Sequence, residues 1–517
     1  MSVIRGDGLR SVPASAGAAV VLAVAVVAAF GPALHAPFLW DDHLLVVNNP
    51  GVEGLDPGRL REMFTTMYQT AYQPLGWLTI ALVRAFAGLS PEPHHAVSLI
   101  VHWLAAVAFF VFCRRLFRRA GSADAGFGAL AAAILFAVHP LQSFTAGWVT
   151  ELPDGLATLC FIVSLTVYLG KDSRRRLPLC WALFLVSLLF RWKGIMLPLA
   201  LSLLDAWPLK RDPRARLREK IPFWLLAAAA LALNAAAKTS LDTRPAFSPV
   251  HFARGVELFL WLLAWPREIL PLYALNDPDT LGIPAALALA LAAALAVWLW
   301  FGRRRRPALA AAAIFFVAAL APPLLSARSG VLVVFPHYAY LAALPFFILA
   351  GDGLRRLRAA AAVTLLAGVA GAWTIESARQ SAYRRDEAVF WTRALALDQG
   401  SLMAYTNLSD ALARAGRLNE AYFYLRAQLL HNPGDADALR HLELLARRAP
   451  ELRPNVVDFW SAAAGDFVAA GRPRDALILC GKALRLRPRD RKAHAAAARA
   501  FEALGEPARA RDHRGAS

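Results

Sequence analysis

Charge is scarce in this chain. Of 517 residues only 18% are Asp, Glu, Lys or Arg, where a soluble domain carries about a quarter. That shortage excludes a disordered, highly charged chain and argues against an ordinary soluble one. Cysteine is scarcer still, at four residues. Cys113, Cys160 and Cys180 fall in or beside apolar runs and Cys480 lies in the polar tail, with no metal-ligand spacing and no basis for a disulfide framework. Acids are outnumbered, 37 against 56 bases, which leaves a formal charge of +19. Also missing is any sustained apolar–polar alternation, which excludes a transmembrane β-barrel.

What is present is apolar sequence in long continuous runs. Hydrophobic residues make up 58% of the chain and the mean hydropathy is +0.44. Runs of roughly 17–25 residues predict membrane-spanning helices, because lipid leaves no other partner for backbone polar groups. The excess of bases sits in short connections beside these runs: Arg114–Arg119, Lys171–Arg176, Lys210–Lys220, Arg303–Arg306 and Arg355–Arg358. Short basic loops mark the cytoplasmic side, so the charge reads as a topology signal and implies no nucleic-acid partner.

Alternating sides from there predicts an all-α, polytopic bundle of about 11 spans. The first run, 13–35, is an uncleaved span with Arg5 and Arg10 inside. Segment 36–92 is then an external loop, and further spans are expected near 95–113, 125–140, 154–170, 177–191, 194–208, 221–237, 284–302, 307–326, 338–354 and 359–376. Segment 255–275 is apolar enough to cross, but Pro266 and Arg267 break it. Counting it would put Arg303–Arg306 outside, so it is expected as a re-entrant or interfacial helix. The expected division is therefore a membrane domain, 1–376, and an external tail, 377–517.

The tail loses the long runs and repeats. "ALARAGRLNEA", "DFVAAGRPRDA" and "AFEALGEPARA" each set Gly five residues before Ala, and Gly471 and Gly505 lie 34 residues apart. That is the tetratricopeptide period. Gly suits the turn between antiparallel helices, and Ala lets the helices approach. Stacked hairpins of this kind make surfaces that bind a protein partner.

Polar residues gather at the expected outer ends of spans: Asp41 and Asp42, His94 and His95, His139, Glu151 and Asp154, Arg191 and Lys193, His337 and Tyr338. Charge beside hydrocarbon is costly and faces a cavity or a partner. Carboxylates and cations at headgroup depth suit a lipid-linked sugar phosphate. Lys193 and Arg191 could hold the phosphate, and an aspartate could act as general base. The acids could instead bind a divalent cation, magnesium or manganese. A solvated "DD" loop and an interfacial lysine are the plainer readings of the same residues. A transporter fits less well, since the spans show no two-fold repeat.

Several stretches in order carry a resemblance: "FLWDDHLLVVNNPGV", "YQPLGWLTIAL", "HHAVSLIVHWLAAVAFF", "LFAVHPLQSFTAGWVTELPDGLA", "WKGIMLPLALSLLDAW" and "PHYAYLAALPFF". Together with the repeats, the chain resembles the transmembrane-and-tetratricopeptide-repeat family of the GT-C glycosyltransferase superfamily, whose eukaryotic members are O-mannosyltransferases using dolichyl-phosphate mannose. The resemblance implies a GT-C-like bundle, a polyprenyl-phosphate sugar donor, membrane lipid as surroundings and a protein or glycan acceptor. It implies catalysis by the acidic pair Asp41–Asp42, with Asp41 as base, and matches for His139-Pro140, Asp154 and Lys193. The Ala- and Arg-rich composition suggests a bacterial inner membrane, with a cytoplasmic N-terminus and a periplasmic tail. The pattern departs at Phe144, where the family has Glu, at Leu152, where it has Arg, at Gly194, where it has Glu after Lys, and at His337, where it has Arg. The alternative these departures favour is a catalytically degenerate, membrane-anchored repeat scaffold.

Overall fold

The computed structural model describes residues 15–68, 71–170, 175–212, 216–238, 249–274, 305–325, 333–432 and 434–516. The span expected at 284–302 lies outside them, as do Arg303, Arg304 and residues 171–174 of the basic loops. Within the described residues the fold is all-α, apart from one two-stranded ladder pairing Tyr273–Ala274 with Val333–Val334. The chain divides into two compact units, Met1–Arg385 and Asp386–Ser517.

The first unit is a multi-pass membrane bundle. Six described helical segments are long and apolar enough to cross a bilayer: Ser15–His35, Pro91–Arg119, Val149–Tyr168, Leu217–Ala236, Pro307–Leu325 and Ala359–Tyr383. A seventh candidate is bent by 53°, Ala125–Val138 followed by Pro140–Ala146. The break falls at His139-Pro140, where the proline cannot continue the helical ladder. In chain order the first helices are α1 (Ser15–Phe30), α2 (Pro57–Thr65), α3 (Pro74–Ala87), α4 (Pro91–Arg119), α5 (Ala125–Val138), α6 (Ser143–Ala146), α7 (Leu152–Tyr168) and α8 (Arg176–Phe190), of which α3 and α8 are shorter and apolar, as is Leu344–Leu354. Val20, Val24 and Val27 on the first helix and Leu225 on Leu217–Lys238 are more than half exposed. An apolar face left bare over a whole helix is a face for lipid.

Small residues set the interior. Gly128 on Ala125–Val138 meets Gly351 on Leu344–Leu354 so closely that a Cβ on Gly351 would stand 2.3 Å from the Gly128 carbonyl oxygen. Ala131, Ala132, Ala133, Ala105 and Ala106 are buried nearby. Such contacts let helix backbones approach where no hydrophobic effect drives them together. The apolar segment expected at 255–275 forms a helix only over Pro249–Ala264, ending ahead of Pro266. The last helix of the unit, Ala359–Tyr383, runs past the division expected at residue 376.

Among the described residues the second unit has eight α-helices: Glu387–Leu397, Leu402–Arg414, Leu418–His431, Ala436–Arg448, Arg453–Ala469, Pro473–Leu486, Arg491–Ala503 and Pro507–Gly515. Gly416, Gly471 and Gly505 occupy turns between consecutive helices with φ of 78°, 72° and 75°, a conformation that favours glycine. Five residues on, Ala421, Ala476 and Ala510 are buried. Ser401, Asp435 and Asp490 accept from the backbone N–H three residues ahead, the helix-start arrangement that satisfies an otherwise orphaned donor.

Candidate functional site

Helix α7 (Leu152–Tyr168) and α8 run antiparallel. Ser187 Oγ donates to the Ala157 carbonyl at 2.8 Å, and Ser164 Oγ to that of Cys180 at 3.2 Å. The hairpin therefore returns the chain at Arg191–Lys193 to the start of α7, where Glu151 and Asp154 stand. Helix α3 closes a third side. Gly76 has no side chain, and a Cβ there would lie 2.9 Å from Pro153 Cγ and 3.3 Å from the Phe190 carbonyl oxygen. That approach brings Gln73, at the N-terminal end of α3, to accept from Arg191 Nη1.

The result is a four-membered ion-pair group. Arg191 Nη2 lies 3.2 Å from Glu151 Oε1, and Arg191 Nε lies 3.0 Å from Asp154 Oδ1. Lys193 Nζ pairs with Asp154 Oδ2 and lies 3.9 Å from Glu151 Oε2. The same Nζ sits 5.2 Å from the Tyr338 ring centre, within cation–π range. His337 Nδ1 is 3.7 Å from Glu151 Oε1. Burial, with the Lys193 charge adding to it, holds the His337 imidazole well below its usual range, so it is neutral at pH 7. Burial raises the Tyr338 phenol above its ordinary value.

Arg191, Lys193 and Glu151 of this group form one wall of a cavity of about 250 Å³, lined also by Trp40, Asp41, Tyr68, Tyr72, Trp148 and Trp192. The acidic doublet is split by a strained turn. Trp40 has φ of 45°, a costly value for a bulky residue that persists only where surrounding contacts enforce it. Its ring packs at a tilt against Trp148, with centroids 5.4 Å apart, and Phe335, at 5.9 Å. Beyond it Asp41 opens into the cavity, while Asp42 turns inward and is fully buried. Asp42 accepts from Leu39 N at 3.1 Å and Thr150 N at 2.9 Å, so it clamps its own loop to the residue before Glu151. Protein around Asp41 shields its carboxyl from bulk water and raises its pKa, with Arg191 pulling the other way. For Asp42, burial outweighs the two backbone hydrogen bonds and brings the carboxyl to about 7.

The remaining expected residues lie elsewhere. His94 bonds Ser90 O at 2.9 Å and packs edge-on to Phe38. His95 is buried and outside the cavity lining. His139 accepts from Leu141 N at 3.2 Å, has Leu263 O at 3.2 Å on its other nitrogen, and abuts Trp373 at 4.4 Å. It secures the bend after Val138 and does not line the cavity. Glu151, Asp154 and His337 offer ligand atoms within 4.8 Å of one another, the geometry of a metal site. Arg191 and Lys193 already stand on those carboxylates, so the arrangement fits an ion-pair group rather than a divalent cation.

No family model matches the chain. Over 174 residues it is 32% identical to human protein O-mannosyl-transferase TMTC1, covering 32% of this chain and 19% of that protein. Over 183 residues it is 27% identical to mouse protein O-mannosyl-transferase TMTC3, covering 32% and 19%. Over about a third of its length the chain is thus similar to protein O-mannosyl-transferases. The matched segment spans about a fifth of the length of these curated relatives. Among solved structures, ArnT from Cupriavidus metallidurans bound to undecaprenyl phosphate aligns with a TM-score of 0.40 and 18% identity, over 86% of this chain and 81% of that one.

Three of the positions at which the sequence departs from the family it resembles, Phe144, Leu152 and Gly194, are buried. A side chain at Gly194 would begin 2.6 Å from Ser187 Oγ, so a Glu there would break the α7–α8 seam. Phe144 lies under the guanidinium of Arg384, 4.5 Å from its ring centre, and Arg384 bonds the Ser143 carbonyl. Leu152 is buried at the start of α7. Gln73, Trp148 and Trp192 line the cavity without standing out among the polar residues at span ends. Gln73 stands in the quoted "YQPLGW" stretch, and a polar residue directly before the proline that opens an apolar helix was the available signal.

Proposed function

We propose that the chain is a membrane glycosyltransferase that moves a sugar from a polyprenyl-phosphate donor to an acceptor hydroxyl on the periplasmic face of a bacterial inner membrane. The observation that carries the reading is that Asp41 opens into the same cavity as Arg191 and Lys193. A carboxylate and two cations facing one space are what a single displacement from a sugar phosphate needs. Asp41 takes the acceptor proton as the acceptor oxygen bonds to the anomeric carbon. The bond from that carbon to the phosphate oxygen breaks, and Arg191 and Lys193 stabilise the charge that develops on the departing lipid phosphate. Trp40, Trp148, Trp192 and Tyr72 give the sugar apolar faces on which to stack. Mannose is the sugar suggested by the relatives' names. A protein or glycan is the acceptor class, and the helical repeats are suited to holding a protein partner.

The test is transfer of radiolabelled sugar from a polyprenyl-phosphate donor by the purified full chain in nanodiscs. Asp41→Asn is expected to lower turnover by at least about 100-fold, with helical content and monodispersity unchanged. Wild-type turnover in Asp41→Asn would remove Asp41 from the reaction. No turnover by the wild-type chain with any donor would favour the scaffold alternative.

A further inference from the structure

Arg191 and Lys193 are already occupied. Each of two carboxylates bridges the same two cations: Asp154 through Oδ1 to Arg191 Nε and Oδ2 to Lys193, and Glu151 through Oε1 to Arg191 Nη2 and Oε2 towards Lys193. Both acids are almost fully buried, at 3% and 7% exposure. A planar anion whose two oxygens reach a guanidinium and an ammonium presents much the same face as two oxygens of a phosphate. The desolvation cost of buried ion pairs leaves them little net stabilising value, so two stacked on one pair of cations are poorly explained as a structural staple. Their position is also informative. Trp192, Lys193, Pro323, His337 and Tyr338 line both the cavity containing Asp41 and a smaller one reaching Ala157, Thr158 and Pro322. Asp154 borders the small cavity only, and Arg191 and Glu151 the large one only. The ion-pair group is the partition between them.

We infer that Asp154, backed by Glu151, is a resident stand-in for the donor phosphate, and that a lipid phosphate binds by displacing the Asp154 carboxylate from Lys193 and Arg191. This rests on the reading above that the two cations hold the donor phosphate. It adds that the acids beside them oppose binding. The exchange keeps the cations neutralised before and after the reaction and lets the product phosphate leave when the carboxylate returns. Resident carboxylates therefore set the affinity for phosphate, and removing one raises it.

Binding of farnesyl phosphate to the full chain in detergent, by calorimetry and by thermal shift, tests the inference without any transfer step. Asp154→Asn is expected to bind about tenfold tighter than wild type, which is about 1.4 kcal/mol, and its melting temperature should rise further on adding the ligand. Lys193→Met should lose binding, and Lys193→Met combined with Asp154→Asn should show no gain. Farnesol, which lacks the phosphate, should not discriminate between the variants. If Asp154→Asn lowers expression, Glu151→Gln carries the same comparison, with tighter binding expected. Equal or weaker binding of farnesyl phosphate by the folded variants overturns the stand-in. Loss of transfer with tighter binding supports it, and absent transfer in every variant bears on the proposed function alone.

Discussion

At the scale of single residues, Asp41 and Asp42 show how one backbone torsion separates two identical side chains. Trp40 in the left-handed region reverses the chain, so neighbouring carboxylates face a cavity and a backbone clamp. The pKa of buried Asp42, near 7 against an ordinary value of 3.8, carries a stability consequence. An acid that binds its proton more tightly when folded stabilises the folded state at low pH and loses that contribution as pH rises from about 4 to about 7. The full swing is on the order of 4 kcal/mol. The melting temperature of the wild-type chain in detergent should therefore fall between pH 5 and pH 8 by more than that of Asp42→Asn. Parallel slopes for the two would mean that Asp42 titrates as an exposed carboxyl. The doublet itself was legible in "FLWDDHLL", because charge directly after an apolar run is conspicuous. Which aspartate faces the cavity was not, since the answer depends on a Trp torsion fixed by Trp148 and Phe335 from distant segments.

At the scale of elements, the site is made by three helix ends meeting, and glycine decides how near they come. Arg191 and Lys193 were singled out in the sequence because cations on the expected outer side run against topology. Their partners followed less readily, because the α7–α8 hairpin has to return to its own start before Glu151 and Asp154 can meet them. Gly76 is the point at which α3 comes close to the other two. Gly76→Ala pushes α3 away from Pro153 and the Phe190 carbonyl, which costs about 1–3 kcal/mol by overpacking and draws Gln73 off Arg191. Transfer should fall and the melting temperature with it. Gly371→Ala is the matched control, since nothing lies within 4 Å of a Cβ there. It should gain up to about 1 kcal/mol of helix propensity. If Gly76→Ala behaves like Gly371→Ala, the close approach of α3 has no part in forming the site.

At the scale of the whole molecule, two kinds of sequence periodicity make two units with different interiors. The membrane unit has exposed valine and leucine on its outer helices because lipid, not water, is their solvent. The change in composition between the two stretches was legible in the sequence, as was the repeat of Gly and Ala in the tail. The break at Pro266 was legible too, but where the helix ahead of it begins was not, since apolar content does not mark a start at Pro249. The tail unit builds its interior from short amphipathic helices. Leu408, Leu412, Leu425, Leu442, Trp460 and Leu479 are all buried within it, and its helix starts and turns are satisfied by its own residues. Nearest-neighbour stacking of this kind is self-sufficient. Residues 386–517 produced alone should therefore form a soluble, helical protein with a cooperative thermal transition by circular dichroism. Within it, Ala476→Leu forces a larger side chain into the fully buried contact after the Gly471 turn and should cost about 1–3 kcal/mol. A fragment that stays unfolded in isolation would show that the interior described for this unit is not enough to hold it, whatever its repeats bind.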